Sequence, residues 1–150
     1  MSDRKVWASV AAAAGVLAWA PAAGAASDPV FGDWLTVDGA AKVRVGPCAA
    51  NPVLTCGTLL WLKDGKDAAG APKHDANNPD PALKPRPLVG VQLISDLKRD
   101  EAGVWKDGRI YVPETGRTAR ANVSANADGT LKVEGCVAVI CQAKTWTKAR

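Results

Sequence analysis

Histidine, tyrosine, phenylalanine and methionine each occur once in 150 residues. The lone His74 sits among polar and proline residues with no evident partner to orient it, so a histidine-centred acid–base relay has no support. Serine past residue 26 is limited to Ser27, Ser95 and Ser124, and none lies in a G-x-S-x-G elbow. No glycine-rich phosphate-binding loop occurs. The 19 Lys and Arg residues barely exceed the 15 Asp and Glu residues, for a net charge of +4. They are scattered along the chain, which speaks against a nucleic-acid partner.

Long hydrophobic runs are also missing. The longest, Val6 to Ala20, has 15 residues without a charge, short of the about 20 apolar residues that span a bilayer. Arg4 and Lys5 precede it, Pro21 breaks it, and Ala23-Gly24-Ala25 follows as an A-x-A cleavage pattern. These parts read as a cleaved Sec-type signal peptide over residues 1–26. Residues 27–150 then form one mature domain, periplasmic or secreted, without a membrane span.

Four cysteines lie beyond that segment: Cys48, Cys56, Cys136 and Cys141. An even number in an exported chain implies disulfides. Of the three pairings, Cys48–Cys56 and Cys136–Cys141 close short loops between predicted strands and are favoured. The rival, a zinc site, lacks C-x2-C spacing and a nearby histidine, so no metal is expected.

What is abundant is strand signal. Ala41-Lys42-Val43-Arg44-Val45 and Leu131-Lys132-Val133-Glu134 alternate with period two, the pattern of half-buried strands. Asp38-Gly39, Asp107-Gly108 and Asp128-Gly129 read as tight turns, and Pro113-Glu114-Thr115-Gly116 as another. Candidate strands cover 32–37, 41–45, 56–62, 88–94, 103–106, 109–112, 118–124, 130–136 and 142–147. The pieces at 103–106 and 109–112 read as a hairpin or one bent strand, so the count is eight or nine. The expected fold is all-β, an antiparallel up-and-down barrel of about eight strands. Such a barrel holds side chains or one small ligand. A short helix is expected around Asp96 to Ala102.

Lys63 to Pro87 breaks the rhythm with five prolines. A loop this long in a small domain is usually functional or disordered. Its half from Lys63 to Lys73 reads as polar and mobile, and Asp75 to Pro87 as a stiff segment fit to pack as a lid. Asp75 through Asp80 is polar enough for calcium but fails the EF-hand loop, with Asp80 where Gly is needed and Arg86 where Glu is needed.

Candidate ligand-binding residues are Trp34, Asp75, Asn78, Arg86, Trp105 and Tyr111. Tyr111 and Trp105 beside Arg86 would give a polar tip among apolar walls. Trp34, in Gly32-Asp33-Trp34, fits a ligand site or a structural plug under a basic residue from the last strand, Lys148 or Arg150. Ala119 and Ala121 are small residues that leave inward space, or pack against bulky neighbours.

From Phe31 to Lys148 the chain resembles the bacterial family DUF2147. The landmarks run in order: Gly32-Asp33-Trp34-Leu35-Thr36; Val43-Arg44-Val45 leading to Cys48; Cys56-Gly57 with Trp61-Leu62; Asp75 through Asp80; Arg86-Pro87-Leu88-Val89-Gly90; Gly108 with Ile110 through Gly116; Leu131 through Cys136; and Gln142 to Thr147. Val112 stands where an acidic residue often precedes the proline, and Lys148 where arginine often ends the Trp-Thr motif. The resemblance implies an exported lipocalin-like barrel and no established reaction.

The sequence therefore predicts a periplasmic binding module for a small apolar or amphipathic ligand, with no cofactor. The alternative is a structural or protein-interaction envelope protein whose long loop carries the contacts. An enzyme is the least expected, unless Asp75, Asn78, Arg86 and Tyr111 converge in one cleft.

Overall fold

The computed structural model describes residues 27–150; the expected signal peptide, 1–26, lies outside them. Eight strands follow one another: β1 (Gly32–Leu35), β2 (Ala41–Pro47), β3 (Thr55–Leu62), β4 (Gln92–Arg99), β5 (Trp105–Val112), β6 (Arg117–Ala125), β7 (Leu131–Val137) and β8 (Ile140–Lys148). Each pairs antiparallel with the next, and β8 pairs back onto β1, so the sheet closes into an up-and-down barrel. Closure removes the free sheet edges that an open β-sheet must otherwise protect. No described helix is long and apolar enough to cross a membrane.

Two local expectations are corrected. The helix expected from Asp96 to Ala102 is instead the second half of β4, up to Arg99, and the turn after it, with β4 paired to β5 through Lys98↔Lys106 and Arg99↔Trp105. Ile94 and Leu97 are both fully buried, and their spacing of three mimics a helix. A positive φ of 58° at Asp96 kinks the strand and turns both side chains inward, as a bulge does. Likewise, Asp107-Gly108 is not a hairpin turn. It lies inside a single β5, with φ of 58° at Asp107 and a register shift against β6 between Trp105 and Gly108. Gly108 is required there, because a Cβ would stand 2.5 Å from the Ser95 carbonyl oxygen. Asp107 alone supplied left-handed backbone, as a turn needs, but the sheet used it to shift register. Asp38-Gly39 and Asp128-Gly129 do lie in turns.

The core fills one end of the barrel. Trp34, Val43, Val45, Leu59, Ile94, Leu97, Trp105, Val123 and Leu131 are all buried there. The lead-in to β1 caps this end: Val30 is fully buried, and the Trp34 indole nitrogen donates to its carbonyl oxygen at 2.9 Å. Arg99 ties the lead-in down through Asp28, Nε to Oδ2, at 2.9 Å. Lys148 Nζ sits 4.0 Å from the Trp34 ring centroid and donates to the Phe31 carbonyl oxygen at 3.0 Å. Gly32 (φ 133°) makes room for it, since a Cβ there would lie 2.7 Å from Nζ. The G-x-W motif is thus a capped end with a cation over the indole face, and Lys148 is the cation.

Cys48 bonds to Cys56 and Cys136 to Cys141. The first pair closes the β2–β3 connection. The second joins directly opposed residues of β7 and β8, one pair short of the hairpin tip. Disulfides of this kind suggest an extracellular or periplasmic location.

Candidate functional site: the open end of the barrel

The end opposite Trp34 carries the connections 36–40, 63–91, 113–116 and 138–139. A cavity of about 480 Å³ opens here. Its walls follow the period-two rule that sends alternate strand residues inward. β5 supplies Ile110 and Val112, β6 supplies Ala119, β7 supplies Val133, Gly135 and Val137, and β8 supplies Ile140, Gln142, Lys144 and Trp146. The lining is apolar apart from Gln142 and Lys144. Space exists because of small residues: Ala119 and Gly135 line the void, and Ala121, fully buried, pairs with Gly108 on one side and Gly135 on the other.

Short closure of the ring shapes this mouth. β1 meets β8 through only Trp34↔Lys148 and Leu35↔Thr147, whereas β7 and β8 stay paired out to Val137↔Ile140. The β7–β8 hairpin therefore stands taller than its β1 neighbour. Its tip is apolar and exposed, with Val137 at 69%, Val139 at 94% and Ile140 at 69%.

The β3–β4 connection crosses the same end. Its first part is a small hairpin, with Lys66 bridging Pro72 and the Lys73 amide donating to the Gly65 carbonyl. His74 bridges Pro87 through the backbone and is exposed. The second part is anchored through Asp75, whose side chain is fully buried. Asp75 Oδ1 accepts from the Tyr111 hydroxyl at 2.5 Å. Asp75 Oδ2 accepts from Asn78 Nδ2 at 2.7 Å and from Arg86 Nε at 2.9 Å. Next to it, Asn77 Nδ2 donates to the carbonyl oxygens of Pro113 and Glu114. Gly116 is forced, because a Cβ would collide with the Asn77 carbonyl oxygen.

These contacts set the charge states. Burial alone would raise the Asp75 pKa, but the hydrogen bonds from Tyr111, Asn78 and Arg86 together hold it below the usual carboxylate value. Tyr111 is pushed up to about 12, first by burial and then by its bond to the Asp75 carboxylate. At neutral pH the group is a carboxylate held by a neutral phenol, an amide and a guanidinium.

Asp75, Asn78, Arg86 and Tyr111 therefore converge, as a closed ionic knot rather than an open cleft. Tyr111, between the inward-facing Ile110 and Val112, points to the other face of β5. Trp34 and Trp105 are buried in the filled end, where Trp105 stacks 5.8 Å from Phe31. The cavity is lined by other residues. Of these, Val133, through its period-two alternation, and the space-leaving Ala119 carried a sequence signal; the parity of Gln142, Lys144 and Trp146 along β8 was the signal available on that strand. Glu134, Cys136 and Cys141 lie close enough to hold a metal, but both thiols are spent in the disulfide.

A closed eight-stranded antiparallel barrel with one packed end and one apolar mouth is a lipocalin-like fold. The chain belongs to the family DUF2147, described as uncharacterized proteins conserved in bacteria, whose model matches residues 32–148. Among solved structures, the fold is similar to protein HP1028 from the human pathogen Helicobacter pylori, described as belonging to the lipocalin family. The TM-score is 0.62, at 24% identity over 73% of each chain. No curated protein matches the chain.

Proposed function

We propose that the protein is a periplasmic or secreted binding module that takes a small apolar or amphipathic ligand into the open end of its barrel. Residues 1–26 serve as its cleaved signal peptide and residues 27–150 as the mature domain. The cavity of about 480 Å³ carries this reading. It falls within the roughly 300–1,000 Å³ usual for small-molecule sites and has the mainly apolar walls they favour. The two disulfides support an oxidising compartment.

In this reading the six residues singled out in the sequence frame the site. Trp34 and Trp105 pack the filled end and stand outside the cavity lining. Asp75, Asn78, Arg86 and Tyr111 brace the rim by fixing the β3–β4 connection to β5. The function is non-catalytic: Asp75 is buried and already engaged by three donors, and no serine, cysteine thiol or histidine lines the barrel cavity.

The test is ligand capture. Protein purified from its native host is analysed by native mass spectrometry, then by thermal shift against alkyl amphiphiles. A ligand at 100 times its Kd is expected to stabilise the fold by about 2.7 kcal/mol. Ala119→Phe, which fills the cavity, is expected to abolish the shift while the fold persists. Failure of every amphiphile to bind the unmodified protein would overturn the proposal.

A second reading, a protein-interaction role, is favoured by the exposed Val137, Val139 and Ile140, because exposed apolar clusters often mark interfaces. In-cell crosslinking distinguishes it: replacing these three by serine would remove the adducts, whereas altering residues 75–87 tests the long connection as the contact surface.

A further inference from the structure

The cavity's polar side chains say what kind of head its ligand carries. Gln142 and Lys144 lie two apart on β8 and face the same way, both lining an otherwise apolar void. Gln142 stands opposite Gly135, where a Cβ would touch Ile110 at 3.5 Å, so its amide borders the apolar wall. Lys144 stands opposite Val133, so its stem lies along apolar wall with the ammonium free to reach the rim. Arg117 joins them: it pairs with Val112 at the top of the mouth and shares the face of β6 that carries Ala119.

Some cations of the barrel strands are held in ion pairs, and others, Lys98 and Arg109 among them, are not. Arg44 is paired with Asp33, Arg99 with Asp28 and Lys132 with Glu134. Lys144 and Arg117 enter no ion pair among the described residues. Glu114, the nearby acid of the β5–β6 turn, lines a separate cavity with Asp64 and Asp67. An apolar pocket whose charged group is an unpaired cation, beside an amide donor, complements a negative head on an apolar tail.

We infer that the barrel mouth binds a single-chain amphiphile with an anionic head, the tail against Ile110, Ala119 and Val133 and the head on Lys144, with Gln142 and Arg117 assisting. This deepens the binding reading above and rests on it. Isothermal titration with dodecanoate, dodecanol and dodecyltrimethylammonium separates the two. Dodecanoate is expected to bind at least tenfold tighter than dodecanol, and the cationic amphiphile more weakly than either. Affinity should rise about fourfold per methylene from octanoate to dodecanoate, and acetate and inorganic phosphate, heads without tails, should not compete. Lys144→Met, at an exposed position, is expected to erase the preference for dodecanoate while dodecanol binds as before; Arg117→Gln should weaken it in part.

Equal binding of dodecanoate and dodecanol, or an unchanged preference in Lys144→Met, would overturn the anionic-head inference and leave the binding module standing. Displacement of dodecanoate by phosphate alone would overturn it too. Binding of none of the three would overturn both readings.

Discussion

The hydroxyl of Tyr111 on β5 donates to Asp75 Oδ1 at 2.5 Å, across 36 residues of sequence. That bond ties the long β3–β4 connection to the barrel wall and links two ionisations. Tyr111 is the only tyrosine in the chain, so its titration is read without overlap from another phenol. Tyrosinate absorbance at 295 nm is expected to rise with a midpoint at about 12 in the folded protein and near 10 when unfolded. Because the folded value is raised, the stability it contributes is complete below pH 10 and is lost as pH climbs toward 12. A folded-state midpoint near 10 would show that the bond does not form.

Asp75 predicts the opposite pH limb. Its folded pKa lies below the ordinary 3.8, so its contribution is full above that value and is lost as pH falls through the depressed one. Urea midpoints from pH 7 to pH 2 should fall below about pH 4, and less steeply in Asp75→Asn. Removing the carboxylate strands Arg86, Asn78 and Tyr111, and Asp75→Ala is expected to cost about 3–5 kcal/mol, the range for breaking a buried pair. Tyr111→Phe should cost about 1–3 kcal/mol, the penalty for one lost partner of a buried acceptor.

At the packed end, Gly108→Ala pushes a Cβ to 2.6 Å from Leu97 Cδ2 and 2.5 Å from the Ser95 carbonyl oxygen. Overpacking of this sort costs about 1–3 kcal/mol. Gly129→Ala is the contrast: φ is positive there, unlike at Gly108, but a Cβ meets nothing within 4 Å. Chemical denaturation should rank Gly108→Ala as the more damaging.

The Cys136–Cys141 bridge holds the tall β7–β8 hairpin that walls the mouth. Replacing both with alanine is expected to cost about 2 kcal/mol on loop-closure grounds. It should also speed amide exchange at Val137 to Gln142 far more than in β3. Equal protection in the two forms would show that strand pairing alone fixes the hairpin.

Much of the barrel was legible because alternation survives in strands with one buried face. Val43 and Val45, or Leu131 and Val133, announce themselves by period two. The failures fall where two strands swap faces together. At Asp96 and Asp107 an inserted kink breaks the alternation, so the stretch from Asp96 to Ala102 read as a short helix and Asp107-Gly108 as a turn. The residues of the ionic knot were legible as polar groups of a proline-rich segment and one tyrosine. That Asp75 would be saturated by its partners was not, because this depends on a fold-back spanning 36 residues. The cavity escaped for a related reason. Gln142 and Lys144 look like a solvent face on their own, and only the pairing of β8 with β7 and onward to β6 and β5 puts them on the face that lines the cavity.

The short overlap of β1 with β8 fixes when the ring becomes a ring. Its two residue pairs use Thr147 and Lys148, and Lys148 is also the cation over Trp34. Until the last few residues have arrived, the first strand has no partner on one side and the indole has no cover. Without β8 the sheet is therefore unclosed. The ring is latched by this one clasp of β1 on β8, and a barrel cut before Thr147 would lose both of its pairs.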